Sequence, residues 1–372
     1  MKLVKKIVFV VERLSTGGAE RVVAALASEV CKFRDCEAYI VTYHSEEMDE
    51  YNISSEVCRI ALEKPDKGRL STIYQRYLQL KKIIYGINPY CVFSLAIPKT
   101  DAVLMAALRK RKFPLIISER NDPARFPAEK SMRILRDCVY KRCDGMVFQT
   151  PGAQEYFNEM VKCDSTVICN PITAALPKRY EGEREHRIVN FCRIEPQKNL
   201  KMTIDAFKLI HKEFPDYTLE FYGEGSQKCE LEEYVKNISL TDKVIFHGYS
   251  PNIHEKILKA ALYVSSSDYE GISNSMLEAM AIGIPTICTN CPPGGAKSVI
   301  RDGENGLLVP VGDVKKMADT IRVVLADKDL QNRLSVNATQ LAVLLQPELV
   351  AKKWMEFVEK VKDCLLYTSP SP

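Results

Sequence analysis

Several short segments carry side chains suited to handling charge and hydroxyl groups. In Phe191-Cys192-Arg193-Ile194-Glu195-Pro196-Gln197-Lys198-Asn199-Leu200, two cations stand five residues apart. Arg193 lies just past an expected strand end, and Lys198 opens the next expected helix. Cations beside a helix N-terminus can grip a diphosphate. The same pair also reads as two solvated charges. In Ser267-Asp268-Tyr269-Glu270-Gly271-Ile272-Ser273-Asn274-Ser275-Met276-Leu277-Glu278, two glutamates stand eight residues apart. Glu270 falls in a loop and Glu278 in the first turn of a helix. Such carboxylates can accept hydrogen bonds from sugar hydroxyls, and backbone N–H groups from Ser273 to Met276 would face a phosphate or sugar. Equally, Ser275-x-x-Glu278 is a capping box in which Glu278 only closes its own helix.

Three glycine-bearing segments complete the set. Ser15-Thr16-Gly17-Gly18-Ala19-Glu20-Arg21-Val22 follows an apolar run and opens a helix, so its backbone can approach an anion. It departs from G-x-G-x-x-G, which gives a dinucleotide site poor support. Cys291-Pro292-Pro293-Gly294-Gly295-Ala296 and Asp302-Gly303-Glu304-Asn305-Gly306 are turns by composition. The first can also cradle an anion, and the second leads into a strand. The thirteen cysteines are scattered, and Cys288/Cys291 is the one C-x-x-C. No second pair has zinc spacing, and none of the five histidines clusters with a cysteine pair. Neither a metal nor a redox site is expected.

These residues need elements to position them, and the pattern supplies an alternation of short β-branched runs with longer helical stretches, the mark of βαβ units and parallel sheets. Strands are expected at 6–11, 37–42, 57–61, 90–93, 114–118, 145–148 and 166–169, and again at 187–192, 217–222, 243–246, 262–265, 285–288 and 306–309. Helices are expected at 18–32, 70–85, 99–110, 130–142 and 152–160, then at 198–213, 228–238, 252–261, 275–282, 312–326, 328–344 and 347–362. The fold class is α/β, with two Rossmann-like domains facing across a deep cleft and a C-terminal helix crossing back to the first. The boundaries expected are 1–175, a linker at 176–186, 187–345 and a C-terminal helix at 346–363. Residues 364–372, CLLYTSPSP, break the helical pattern and resemble a translated sequencing adapter. They are set aside as a non-native tail.

Composition agrees. At roughly 100–200 residues per domain, 372 residues suit two domains. Apolar residues at 46% are enough for real cores, and no run approaches the ~18–20 apolar residues of a membrane span. MKLVKKIVFV begins like a signal peptide, but Glu12 and Arg13 follow without a cleavage site, so a cytoplasmic protein is expected. The net charge of +4 hides a split: residues 1–180 hold 29 Lys and Arg against 21 Asp and Glu, and the remainder is acidic. A basic first half suits an anionic partner. No aromatic-plus-basic stacking pattern suggests nucleic acid.

The order R-x4-K, E-x7-E, G-x-P, D-G-x-N-G, most specific across 187–311, resembles the retaining GT-B glycosyltransferases of family four, which assemble bacterial sugar polymers. By that resemblance Arg193 and Lys198 hold the donor diphosphate and Glu278 the ribose. Glu270 meets the transferred sugar, and the Ser273, Asn274, Ser275, Met276 and Leu277 stretch contacts sugar or phosphate. Gly17 and Gly18 close over the donor, and Gly223, Gly225 and Tyr249 lie near the base. Catalysis is implied for Glu270, Arg193 and Lys198, with retention of anomeric configuration. No cofactor and no metal is implied. Many relatives place a histidine where this chain reads Ile117-Ser118-Glu119-Arg120-Asn121-Asp122-Pro123. This resembles a variant found in enzymes of surface polysaccharides, and Glu119, Arg120 and Asn121 would line the cleft. The implied donor is a nucleotide sugar, UDP-linked, carrying a hexose or N-acetylhexosamine. The implied acceptor is a growing glycan on a polyprenyl diphosphate. Peripheral binding to an anionic membrane would use Arg109-Lys110-Arg111-Lys112 and the helix with Lys130, Arg133, Arg136, Lys141 and Arg142. The same fold also hosts nucleotide-sugar epimerases, and a non-catalytic sugar-binding protein is the third reading.

Overall fold

All thirteen strands expected from the sequence are present in the computed structural model, which describes residues 4–15, 17–44, 51–64, 69–173 and 175–368. The chain forms two units: residues up to Pro171 together with those from Pro347 onward, and Ile172–Gln346.

The first unit runs β1 (Lys5–Val11), α1 (Gly18–Val30), β2 (Cys36–Thr42), β3 (Cys58–Ala61), α2 (Arg69–Ile87), β4 (Cys91–Ser94), α3 (Pro98–Ala107), β5 (Leu115–Glu119), α4 (Lys130–Tyr140), β6 (Gly145–Phe148), α5 (Pro151–Phe157) and β7 (Asp164–Val167). Its parallel sheet has the order β3-β2-β1-β4-β5-β6-β7. Central strands such as β4 are buried along their whole length, so both faces are apolar and both need helices. One face, with Phe9 and Phe93, packs on Val22, Val23 and Leu26 of α1. The other, with Val8, Val10 and Val92, packs on Leu80 and Ile84 of α2, Leu104 of α3 and Val139 of α4.

The second unit runs β8 (Glu185–Phe191), α6 (Leu200–Ile210), β9 (Thr218–Tyr222), α7 (Lys228–Asn237), β10 (Val244–Gly248), α8 (Ile253–Ile257), β11 (Ala260–Ser265), α9 (Asn274–Ala281), β12 (Thr286–Thr289), β13 (Leu307–Val309), α10 (Val314–Ala326), α11 (Lys328–Ala338) and α12 (Gln340–Leu344). Its parallel sheet has the order β10-β9-β8-β11-β12-β13. The direction of winding therefore reverses between β8 and β11. In doubly wound sheets ligands bind at that switch point, beyond the carboxyl ends of the strands.

The last helix, α13 (Pro347–Thr368), returns to the first unit. Val350, Trp354, Phe357, Val358 and Val361 complete the core over α1. The Trp354 ring meets Phe93 edge-on at 4.9 Å, and Phe93 stacks on Phe9 at 5.3 Å. At the margin, Glu359 accepts from Lys5 Nζ and from the Tyr90 hydroxyl, each at 2.6 Å.

Several boundaries differ from expectation. The helix expected at 252–261 is only the five-residue α8, because β11 already begins at Ala260. The stretch 328–344 breaks into α11 and α12 at Thr339. The helical pattern does not stop at residue 363, since α13 continues to Thr368. Residues 176–186 include tethered side chains and not only a connector. Arg184 reaches the carbonyls of Ala260 and Gly283 and the Ser335 hydroxyl, at 2.9, 2.6 and 2.9 Å. Arg136 is 1% exposed and donates to the carbonyls of Pro123 and Phe126, so it cannot belong to a solvated basic face.

Candidate active site

The loops after β8 and β11 bring Arg193, Lys198 and Glu270 to the switch point. Lys198 closes a 3-10 turn, Pro196–Lys198, and Asn199 follows with φ +44. Asparagine tolerates this left-handed backbone better than most residues, and its side chain caps α6 by accepting from Met202 N–H at 3.3 Å. The cap's amide donates to Asp268 at 2.8 Å, across to the other loop.

Further bonds fix the two loops together. Ser266 Oγ donates toward the carbonyls of Lys198 and Asn199, at 3.0 and 2.8 Å. Asp268 N–H donates to the Gln197 carbonyl at 2.9 Å, and Gln197 Nε2 to the Tyr269 carbonyl at 2.8 Å. Sequence reasoning missed Gln197, Asn199, Ser266 and Asp268 as positioning groups. Their polar runs beside the cations were the available signal.

The result is a largely buried ion pair. Lys198 Nζ donates to Glu270 Oε1, with the two side chains 12% and 18% exposed. Ser267 Oγ donates to Glu270 Oε2 at 3.0 Å. Burial works against the lysine charge, yet the Glu270 carboxylate outweighs it and holds the Lys198 pKa above its ordinary value. The neighbouring Arg193 pulls the other way. Arg193 itself is exposed. One cation is thus locked in place and a second is available beside it.

Glu278 does not close its own helix. The N-cap of α9 is Ser273, whose Oγ accepts from Met276 N–H at 3.3 Å, so Glu278 is the fifth helical residue and lies beyond the first turn. No capping box forms from Ser275, which bonds to Tyr263 and Ser273. The Glu278 carboxylate is 2% exposed and accepts from Thr173 Oγ1 at 3.0 Å. Its other oxygen meets His254 Nε2 at 2.9 Å. Neither Thr173 nor His254 was expected at the site.

The glycines act mainly by close approach. At Gly223, φ is +141 and a Cβ would sit 1.9 Å from the Cys192 carbonyl oxygen. At Gly225 it would sit 2.2 Å from that of Ile194. These carbonyls flank Arg193, so the β9–α7 turn presses on the loop that carries it. Gly225→Ala is expected to cost about 1–3 kcal/mol, by overpacking against backbone that cannot swing away. Turnover is expected to fall about tenfold as Arg193 and Lys198 shift. Thermal unfolding and steady-state rates on one preparation check both.

Cys291-Pro292-Pro293-Gly294-Gly295-Ala296 serves the Glu270 loop in the same way. The Pro292 carbonyl accepts from Glu270 N–H at 2.9 Å, and a Cβ on Gly295 would lie 1.5 Å from the Gly271 carbonyl oxygen. Asp302-Gly303-Glu304-Asn305-Gly306 is a turn into β13, closed by Asn305 between Arg301 N–H and the Val299 carbonyl. Tyr249 is 79% exposed just after β10, two strands from β8. Burial pushes the Cys288 thiol well up and that of Cys291 to about 11. Among the described residues no group of three or more His, Cys, Asp or Glu is arranged to hold a metal.

In the first unit, Gly17 is the N-cap of α1 and Gly18 its first residue, after the loop that follows β1. Thr16 lies outside the described residues. Glu119 is occupied by its own loop, accepting from the N–H groups of Arg120 and Asn121 at 2.9 and 3.0 Å and from the Tyr140 hydroxyl at 3.1 Å. Arg120 donates to Ser118 and to Asn170, and burial lowers its pKa to about 10. Asn121 Oδ1 accepts from Asp122 N–H at 2.8 Å. The motif folds back on itself, and Glu119 and Arg120 act first as loop-building residues.

Comparison with known proteins agrees with this geometry. Residues 174–341 match the model for glycosyl transferases group 1. An N-acetyl-D-galactosaminyltransferase of Campylobacter jejuni, named for a GalNAc-alpha-(1->4)-GalNAc-alpha-(1->3)-diNAcBac-PP-undecaprenol substrate, is 27% identical over 96% of this chain and 99% of its own. A second enzyme of that organism, an N-acetylgalactosamine-N,N'-diacetylbacillosaminyl-diphospho-undecaprenol 4-alpha-N-acetylgalactosaminyltransferase, is 24% identical over 93% and 97%. Among solved structures, TarM shares the fold with a TM-score of 0.82 at 14% identity, covering 95% of this chain and 98% of that one. HepE of Anabaena, in complex with UDP and glucose, has a TM-score of 0.78 at 19% identity, with coverage of 95% and 99%. Two parallel-sheet α/β units and these relatives agree: the chain has the GT-B fold, and over residues 174–341 it is similar to the group 1 glycosyltransferases, the family four type.

Proposed function

We propose that the chain transfers a hexose or N-acetylhexosamine from a UDP-linked donor to a growing surface glycan carried on a polyprenyl diphosphate, with retention of configuration. The observation that carries this reading is the buried Lys198–Glu270 pair with Arg193 beside it. As the glycosidic bond breaks, negative charge grows on the departing diphosphate. Cations already fixed there lower the barrier without reorganising. Arg193 and Lys198 supply that charge, so the reading needs no metal. Glu270 then accepts hydrogen bonds from the transferred sugar, and Glu278 from the ribose. In this scheme the acceptor attacks on the face the leaving group occupies, and a diphosphate oxygen takes its proton. The names of the two Campylobacter relatives, and the UDP bound by HepE, support the donor and acceptor classes.

The test is a screen of UDP- and GDP-sugars against a pool of lipid-linked acceptors, read by nucleoside diphosphate release and by NMR of the product. UDP release that depends on acceptor, survives EDTA and yields an α-linkage from an α-donor is expected. A β-linked product overturns retention. Epimerised sugar formed without acceptor favours the epimerase. Acceptor presented in anionic vesicles is expected to react faster than in neutral ones, with salt removing the gain, if the basic residues of α4 and 109–112 dock on lipid.

A further inference from the structure

His254 and Thr173 lie outside every motif that carried the functional reading, yet both touch Glu278. That carboxylate is 2% exposed, and a charge so buried is costly unless donors hold it. Thr173 Oγ1 donates to Oε1 at 3.0 Å, and His254 Nε2 lies 2.9 Å from Oε2. The histidine is itself aimed by packing. Its ring stands edge-on to Phe191, the last residue of β8, with centroids 6.1 Å apart and planes at 88°. Phe191 in turn packs edge-on against Tyr263 of β11, at 5.5 Å. The two strands that flank the switch point therefore set the histidine ring, and the ring sets the carboxylate.

We propose that His254 is a positioning residue for donor recognition, fixing the Glu278 carboxylate so that it receives the vicinal hydroxyls of the donor's ribose. The proposal rests on the reading of Glu278 given above. A carboxylate takes two hydroxyls of one ring only if its plane is correctly rotated. With Thr173 on one oxygen and His254 on the other, rotation about the terminal bond is opposed from both ends. Loss of the histidine frees that rotation and removes a donor from a buried charge, and a hydrogen bond to a charged group is worth about tenfold or more in affinity.

The experiment compares wild type, His254→Ala and His254→Gln. Each is titrated calorimetrically with whichever of UDP and GDP the wild-type chain binds, and with the 2′,3′-dideoxy form of that nucleotide. Donor kinetics are measured alongside. Wild type is expected to prefer the ribose form at least tenfold. His254→Ala is expected to lose most of that preference and to raise the donor KM about tenfold with a smaller change in kcat, as for an interaction made equally in ground and transition states. His254→Gln, whose amide can place an N–H near the Nε2 position, is expected to restore much of both. Wild type that ignores the ribose hydroxyls refutes the role of Glu278. Wild type that reads them while His254→Ala reads them equally well refutes the role of His254 and leaves Glu278 standing. Equal losses in the two variants also count against the proposal, because the donor would then not be what matters.

Discussion

Lys198→Ala is expected to lower turnover by about two to three orders of magnitude, the size seen when a preorganised group is removed from a developing negative charge. The change acts twice. It takes the locked cation from the leaving diphosphate, and it leaves Glu270 buried with Ser267 Oγ as its remaining donor in the pair's network. Breaking a buried ion pair from one side costs about 3–5 kcal/mol, more than the intact pair contributes. The double variant Lys198→Ala/Glu270→Ala is therefore expected to melt above Lys198→Ala while staying as inactive. Stability and activity are expected to part company, because the uncompensated charge vanishes and the missing cation does not return. Saturating-donor rates and melting curves for wild type, both single variants and the double variant close the cycle. Turnover of Lys198→Ala within tenfold of wild type would remove the lysine from the chemistry.

Trp354→Ala is expected to destabilise the first unit by about 3–5 kcal/mol, the range for deleting a large aromatic from a core. The indole is 1% exposed and sits in the cluster built from Phe9, Phe93, Val22 and Leu26. Its removal leaves a void between α13 and the sheet that rigid strands cannot close. Among the described residues its Nε1–H has no hydrogen-bond partner. Trp354→Phe is thus expected to cost far less than the alanine change, because it keeps ring packing and removes a buried donor that gains nothing there. Denaturant unfolding followed by a probe confined to each unit checks this, with the transition of the first unit moving and that of the second staying.

The alternation of apolar runs made the fold legible, since strands buried on both faces read as short continuous hydrophobic stretches whatever their neighbours. Arg193, Lys198, Glu270 and Glu278 stood out only through the combined order of R-x4-K, E-x7-E, G-x-P and D-G-x-N-G, since each piece alone reads equally as solvated charge or a helix cap. What residue type and spacing left unread were the partners each side chain takes in the fold. Ser275-x-x-Glu278 has the spacing of a capping box, but local spacing cannot reveal that Ser273 caps the helix or that His254 and Thr173 claim the carboxylate. The resemblance puts Gly223 and Gly225 near the base, and in the fold both press on the Arg193 loop's backbone. The resemblance puts Glu119 at the cleft, and in the fold it also satisfies two N–H groups of its own loop. These contacts are set by the geometry of the fold, which residue type alone does not record.

The first unit takes its residues from both ends of the sequence, with Ile172–Gln346 lying between them. On the ribosome, the half made first is thus the half completed last. Its sheet emerges early, but the face holding Phe9 and Phe93 stays bare until Val350, Trp354 and Val358 have been synthesised. By then every residue of the intervening unit has been made. A chain released after ending between residues 346 and 361 would carry a complete second unit on an unsealed host, with that aromatic face open to chaperones and to other unfinished copies.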